Sequence, residues 1–218
     1  MALRDLLPKI NRDYMEPIGG AMRQAADDGY YVTNTGGDNR IMVGPEIEIL
    51  PAKPLEALAS FETRAFEARD MRDAKPQLAL LCGRSRGPQI TAIGSYKSIK
   101  TPHLLKLHAA GVVDWKAEGR QLFALIFDMP PQKRLMQPGA QKSLRIPDDR
   151  IIPALIEPAL SVLSELHAVE MVHGALSPDN IFMAGADGAE VAILGECLTS
   201  AGSFRLDPSF ETIERAMA

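Results

Sequence analysis

The spacing of apolar residues changes along this chain, and the changes predict one long helix and several strands. Between positions 150 and 170 apolar residues recur at the three- and four-residue intervals of an amphipathic helix, at Ile152, Leu155, Ile156, Ala159, Val162, Leu163 and Leu166. Pro153 suits the first turn of this helix, whereas Pro158 lies inside the apolar pattern. Because proline lacks a backbone N–H, we expect a kink or a late helix start at Pro158.

Short apolar runs bounded by turn residues predict a sheet in the first half of the chain. Residues 77–82, 111–115 and 121–127 are the clearest strands, and a charged hairpin at 116–120 joins the last two. Residues 46–50 alternate weakly and are expected to begin the same sheet. A helix is expected over 95–110, followed after the last strand by a hinge at 128–131.

Two other stretches of the chain are less regular. Strand-like residues 30–33 and 40–43 flank a polar turn at Gly36-Gly37, which predicts a hairpin. Residues 55–70 fit a strand pair, and a helix remains an alternative. The proline- and glycine-containing stretch 138–143 is the clearest linker.

The loop that follows the long predicted helix has the most specific pattern in the chain. His173, Leu176 and Asn180 are spaced as H-x-x-L-x-x-x-N, and the apolar residues 181–183 follow directly. This pattern resembles the catalytic loop of the protein-kinase superfamily, with the His-Gly pair closer to aminoglycoside- or choline-type kinases. The resemblance implies an α+β, two-lobed kinase-like fold, with a small β-rich lobe and a shortened, mainly helical large lobe.

The same resemblance implies that the catalytic groups are missing. The family Asp that orients the attacking hydroxyl is replaced by Ala175, and a methyl group cannot accept a proton. Aligning Gly195 with the glycine of the family's D-F-G triplet puts Ile193 at the metal-binding Asp, where isoleucine offers no oxygen ligand. His173, Asn180 and Gly195 then remain as a vestigial loop, and structural roles are expected for His173 and Asn180.

The predicted small lobe lacks its nucleotide-binding groups as well. No G-x-G-x-x-G occurs in the chain, the strand at 77–82 has no lysine, and the helix expected at 95–110 has no glutamate in its body. We therefore expect no bound cofactor and no ATP binding. The alternative is a rewired nucleotide-dependent transferase that would use Asp179, Asn180 and Glu196, although Glu196 is expected to be a solvated loop carboxylate. A third hypothesis is an unrelated α+β protein in which the loop pattern is coincidental.

Composition narrows the range of partners. The chain has 218 residues and a formal net charge of −4, so it lacks the basic face that nucleic acid requires. The basic pairs Arg84/Arg86, Lys97/Lys100 and Lys133/Arg134 are expected to be solvated. Cys82 and Cys197 lie in apolar runs and are expected to be reduced core thiols, which suits the cytoplasm. The histidine spacing predicts no metal site, and no signal peptide or membrane-spanning stretch is expected.

These observations predict three regions: an N-terminal extension with a β-hairpin at 1–50, a kinase-like small lobe at 51–130, and a partial large lobe at 131–218. An apolar pattern that starts at Phe210 predicts a helix at the end of the chain. We expect the chain to be a fragment, and a further domain or membrane anchor after Ala218 is left open. The predicted function is that of an inactive pseudokinase that binds or regulates a protein partner.

Overall fold

Six antiparallel strands form the main sheet in the described part of this protein. The computed structural model describes residues 40–60, 63–82, 88, 90–137 and 144–199. The strand order is β1-β2-β3-β4-β6-β5, so β4 and β6 are central. The strands are β1 Ile41–Val43, β2 Ile47–Pro54, β3 Thr63–Asp70, β4 Pro76–Cys82, β5 Leu107–Trp115 and β6 Arg120–Asp128. One short helix, α1 Ile93–Ser98, lies between β4 and β5 along the chain.

The second half of the described chain consists of a helix, a loop and a hairpin. Two α-helices, α2 Asp148–Ile151 and α3 Glu157–Ala168, are joined without interruption by a π-helical segment, Ile152–Ile156. The loop 169–177 follows, and the hairpin consists of β7 Ile181–Ala184 and β8 Val191–Leu194. Arg134 forms an isolated antiparallel bridge with Phe182, so the chain after the main sheet runs along β7.

Side-chain alternation along the central strands creates two apolar cores, one on each face of the sheet. In β4, Leu78 and Leu80 join one core, while Ala79 and Leu81 join the other. In β6 the same alternation separates Phe123, Leu125 and Phe127 from Leu122, Ala124 and Ile126. Because both faces of these strands are buried, their sequences are apolar at nearly every position.

The first of these cores joins the sheet to the second half of the protein. Residues of β4, β6 and α1 share it with Val162 and Leu166 of α3 and with Leu194 of β8. Tyr96 of α1 packs edge-to-face on Phe127 at 6.0 Å and donates a 2.6 Å hydrogen bond to the carbonyl of Leu105. The tyrosine hydroxyl is thus satisfied while its ring fills the junction between the lobes.

Most of the predicted strands are confirmed, and the predicted helix at 95–110 is wrong. The strands predicted at 46–50, 77–82, 111–115 and 121–127 correspond to β2, β4, β5 and β6. The helix instead covers only Ile93–Ser98, and Leu107–Ala110 belongs to β5. Ile99 already has an extended backbone, and Pro102 cannot donate a helical hydrogen bond. Within residues 55–70 the structure has a short 3₁₀ turn, Glu56–Leu58, followed by β3.

At the N-terminal side, the first described strand pairs with the strand that follows it. Ile41–Val43 pairs with Ile47–Ile49 across a turn at residues 44–46. Residues 30–39, with the predicted first strand and the glycine turn, lie outside the described residues, as do the linker 138–143 and the helix predicted from Phe210. Residues 41–50 belong to the main sheet, which therefore begins before residue 51.

The proline inside the long helix is accommodated by the π-helical segment. Pro158 comes two residues after Ile156 and lacks the N–H that an α-helix would use at this position. A π-turn widens the backbone locally and relieves the hydrogen-bond pattern there. The helix is thus irregular at the expected place, but it begins earlier than a late start at Pro158 would allow.

The helical stretch Asp148–Ala168 is long and apolar enough to cross a membrane by length and composition alone. The sequence-based expectation that no stretch approaches this composition was therefore too strict. Core helices of folded domains have the same property, and here Ala154, Pro158, Val162 and Leu166 are buried against the protein. The finding is weak evidence for a membrane segment.

Candidate functional site

A cleft of about 320 Å³ separates the main sheet from the loop that follows α3. One wall consists of the turn after β2 and of Leu78 and Leu80 from β4. The opposite wall contains Ala175, Asn180 and Glu196. The cleft therefore brings together most of the residues that the sequence singled out, with Ala175 half-buried in the loop as expected. The predicted order of helix, loop and hairpin around Ala175 and Asn180 is confirmed.

His173 is buried and connects the loop to the segment after β8. Its Nε2 lies 3.2 Å from the carbonyl oxygen of Gly195, and its Nδ1 accepts a 3.3 Å hydrogen bond from the N–H of Ala175. These two contacts require a neutral imidazole with its proton on Nε2. Burial lowers the pKa of His173 to about 4, with the bond to Gly195 acting in the opposite direction.

Asn180 ties the same two segments together through its side-chain amide. Its Nδ2 donates to the carbonyl of Ala175 at 3.0 Å and to the carbonyl of Glu196 at 3.1 Å. Both amide hydrogens are therefore used by backbone groups. A β-carbon added at Gly195 would lie 1.8 Å from the Asn180 Oδ1 atom. The contact exists because residue 195 has no side chain.

The residue that meets Asn180 is Gly195, whereas Ile193 lies farther back in the hairpin. Ile193 pairs with Phe182 inside the β7–β8 ladder, and the N–H of Gly195 donates to the carbonyl of Asn180 at 2.8 Å. A metal ligand supplied beside Asn180 would thus come from position 195. Neither glycine nor isoleucine has an oxygen in its side chain, so neither position 195 nor position 193 provides that ligand.

Glu196 is committed to the turn that follows it. Its carboxylate accepts hydrogen bonds from the N–H of Leu198 at 2.6 Å and the N–H of Thr199 at 2.9 Å, and also from the Thr199 hydroxyl. Burial raises the pKa of Glu196, while these three bonds lower it. The carboxylate is therefore a local capping group rather than the solvated side chain that the sequence predicted.

Asp179 and the other acidic residues do not assemble a metal site. Asp179 is exposed, and its carboxylate accepts a hydrogen bond from the Ser177 hydroxyl. Within the described ranges, no group of three or more His, Cys, Asp or Glu side chains is placed to hold a metal ion. The arrangement does not fit a magnesium–nucleotide complex, because the carboxylate of Glu196, which lines the cleft, is already bonded to its own turn.

The described residues that line the sheet side of the cleft are apolar, acidic or hydroxyl-bearing, and none of them is basic. Leu78 and Leu80 are the β4 side chains that line it, on the strand to which the resemblance assigns the phosphate-binding lysine. The turn Glu56–Leu58 follows β2 where the glycine-rich loop would lie, and it contributes Glu56 to the cleft. A carboxylate at this position repels phosphate rather than binding it.

Arg134 crosses the cleft, which sequence analysis did not predict. One guanidinium nitrogen, Nη2, donates to the carbonyl of Ala57 at 2.7 Å, and Nη1 donates to the carbonyl of Asp179 at 3.2 Å. Its guanidinium carbon also lies 4.9 Å from the centre of the Phe182 ring. Arg134 thus links the turn after β2 to the loop after α3. A Lys-Arg pair in a polar segment carries no local signal for such a bridge.

The buried neutral His173 predicts a specific loss of stability in acid. An unfolded histidine titrates near its usual 6.5, whereas the pKa of folded His173 is about 4, so protonation favours the unfolded state. This contribution is complete above pH 6.5 and decreases as the pH falls toward 4, by about 3 kcal/mol in total. The measurement is the free energy of unfolding, determined by urea titration from pH 7 to 4. In the His173→Gln variant this pH-dependent decrease should be absent. The exposed His167→Gln variant should retain it, and an unchanged pH profile in His173→Gln would refute the assignment.

The contact between Gly195 and Asn180 predicts a coupled pair. Gly195→Ala forces the Asn180 side chain away from its two carbonyls and should lower the free energy of unfolding by about 1–3 kcal/mol. In a double-mutant cycle with Asn180→Ala, the combined loss should be smaller than the sum of the single losses, because the clash is removed. Gly94→Ala, at an exposed position of α1, serves as the control and should cost nothing. Strict additivity in the cycle would contradict the described contact.

Comparisons with known proteins show which solved structures this chain resembles. No protein-family model matches the chain, and no curated protein matches it. Among solved structures, the chain is similar to the Mycobacterium tuberculosis PknI kinase domain, with a TM-score of 0.54 and 14% identity over 77% of this chain. It is also similar to Rad53 1-466 in complex with AMP-PNP, with a TM-score of 0.56 and 15% identity over 78% of this chain.

The matches cover 66% of the PknI chain and 43% of the Rad53 chain, so this chain spans less than two thirds of either one. At this level of identity the similarity concerns the fold alone. The described part of the chain is α+β, with a β-rich part and one main helix. This protein therefore has a protein-kinase-like fold.

Proposed function

We propose that this chain is a pseudokinase domain, which keeps the kinase-like shape and acts by binding a protein partner. The observation that carries the proposal is the composition of the cleft wall. Ala175 stands at the position that the loop pattern assigns to the catalytic Asp, and a methyl group cannot orient or deprotonate a hydroxyl. Phosphoryl transfer depends on positioning and on electrostatic stabilisation, so the loss of this group alone would reduce it strongly.

The hairpin side of the cleft supports the same conclusion. Metal binding would require side-chain oxygen ligands beside Asn180, yet Gly195, which packs against the Asn180 Oδ1 atom, has no side chain. An aspartate at position 195 would displace the Asn180 amide from its two carbonyls. The rewired transferase would need Asp179, Asn180 and Glu196 on one metal, but the Glu196 carboxylate already accepts hydrogen bonds from its own turn and the Asp179 carboxylate accepts one from Ser177.

The sheet side lacks a group that would hold phosphates. Among the described residues that line the cleft, the one cation is Arg134, and its guanidinium is bound to the carbonyls of Ala57 and Asp179. Glu56 adds a negative charge to the turn that covers the cleft. Leu78 and Leu80 present only apolar surface. The described residues on this side therefore include no free positive charge that could bind nucleotide phosphates.

A partner protein would be bound by surface contact. We propose two surfaces for this contact: residues 30–45, most of which lie outside the described residues, and residues 95–110, which are divided between α1, a connecting segment and β5. The net charge of −4 argues against nucleic acid as the partner. The buried thiols of Cys82 and Cys197, whose pKa values burial raises, support a reducing compartment, and we propose the cytoplasm.

Nucleotide binding gives the first test. A ligand that binds only the folded state raises the melting temperature by mass action, and we expect no rise with Mg-ATP or Mg-GTP at micromolar concentration. The measurement is a thermal unfolding series with each nucleotide, with and without Mg²⁺ or Mn²⁺. A rise of several degrees that disappears in Glu196→Gln or Asn180→Ala would instead favour the rewired transferase.

Restoring the catalytic carboxylate gives the second test. Ala175→Asp should show no transfer of radiolabelled phosphate from Mg-ATP to itself or to a generic protein substrate. The new carboxylate supplies one element, while Gly195 still offers no metal ligand and Leu78 and Leu80 still face the cleft. Circular dichroism of the variant controls for folding. Phosphate transfer above the level of the parent chain would argue against the proposal.

A further inference from the structure

The long helix presents a line of large apolar side chains to solvent. Ile152 is 62% exposed, Ile156 is 43% exposed and Leu160 is 59% exposed. The three residues are four positions apart, so they lie on one face, which we name the apolar stripe. The buried residues Ala154, Pro158, Val162 and Leu166 follow the same spacing on the opposite side. The helix is therefore apolar on two sides, and the described chain covers only one of them.

The size of the stripe indicates a helical partner. Eight residues separate Ile152 from Leu160, which corresponds to about 12 Å along a helix. Single exposed apolar residues are common on protein surfaces, but three aligned along one helix face form a continuous patch. A helix that is apolar on both sides is typical of one packed between two layers.

The chain itself contains a segment of matching pattern. Residues 200–218 follow Thr199 and lie outside the described structure. Phe210, Ile213 and Met217 are spaced as i, i+3 and i+7, which puts them on one face over about 10 Å if the segment is helical. The charged residues of this segment, Glu211, Glu214 and Arg215, occupy other positions of the same pattern. The apolar lengths of the stripe and of this segment are therefore nearly equal.

The point where the described chain ends allows the two to meet. Thr199 is buried, and it comes five residues after β8, which contacts both α3 and the π-helical segment. The eleven residues from Thr199 to Phe210 span up to about 36 Å when extended, at about 3.3 Å per residue. The helix from Asp148 to Ala168 is about 32 Å long. The extended length of the connecting residues thus exceeds the length of the helix that carries the stripe.

We propose that residues 210–217 bind the apolar stripe within the same molecule, with Phe210, Ile213 and Met217 covering Ile152, Ile156 and Leu160. The segment thereby buries the second apolar side of the long helix. This contact is independent of the proposed pseudokinase function, because Ile152, Ile156 and Leu160 are not among the described residues that line the cleft.

Thiol chemistry tests the contact in the whole chain. In a Leu160→Cys variant, labelling by a small thiol reagent should be slow, and it should become several-fold faster when Phe210→Glu and Ile213→Glu are added. The native Cys82 and Cys197 are buried and give a slow background. Leu176→Cys, at a residue that is 49% exposed in the loop, is the matched control and should label rapidly in both backgrounds. Equal labelling of Leu160→Cys with and without the two glutamates would overturn the proposal.

Disulfide formation provides a second test that does not require destabilising substitutions. Under mild oxidation, Leu160→Cys combined with Ile213→Cys should form an intramolecular disulfide in the monomer, whatever the protein concentration. Lys53→Cys, on the exposed end of β2, combined with Ile213→Cys is the control and should not. Cross-linked dimers that increase with concentration would overturn the proposal in favour of a second copy of the chain. Flotation with phospholipid vesicles that is lost in Ile156→Glu would overturn it in favour of a membrane surface.

Discussion

A single apolar core between the main sheet and the long helix holds the two halves of this protein together. Leu80 and Phe127 from the sheet, Leu166 from α3 and Leu194 from β8 belong to it. Burial of this kind of surface is the main favourable term in folding, and here it fixes where the sheet lies relative to the loop after α3. The cleft lies directly beside this core, because Leu78, Leu80 and Leu105 belong to both. What the cleft can bind depends on the side chains that this arrangement leaves on its walls.

The polar side chains on the cleft walls form hydrogen bonds with the protein's own backbone. His173, Asn180 and Glu196 all bond to backbone atoms of the loop or of the segment after β8, and Arg134 bonds to backbone carbonyls on both sides of the cleft. A kinase-like cleft needs the same kinds of groups to face a metal and phosphates. In this chain they form an internal network of hydrogen bonds, in which the polar groups are satisfied by the protein itself. That distribution is one basis of the proposed function.

The sequence predicted the local features of the fold well and the long-range ones less well. The long helix and the strands β4, β5 and β6 follow from residue spacing, because that spacing directly reflects which faces are buried. The helix predicted over 95–110 is wrong because its apolar residues have different structural roles. Leu104 forms an isolated bridge, Leu105 is buried in the core and Leu107 belongs to β5. The apolar residues of a short irregular segment do not reveal which neighbour will bury them.

The sequence by itself determined that a helix, a loop with alanine at position 175 and a hairpin follow one another, since each is set by neighbouring residues. The tertiary structure alone decided that Gly195, rather than Ile193, meets Asn180, because strand pairing between β7 and β8 sets that register. It also decided that Glu196 caps its own turn and that Arg134 spans the cleft to Ala57, a residue 77 positions away. Such contacts depend on where the core brings distant backbone carbonyls, and no local pattern of residues encodes that distance.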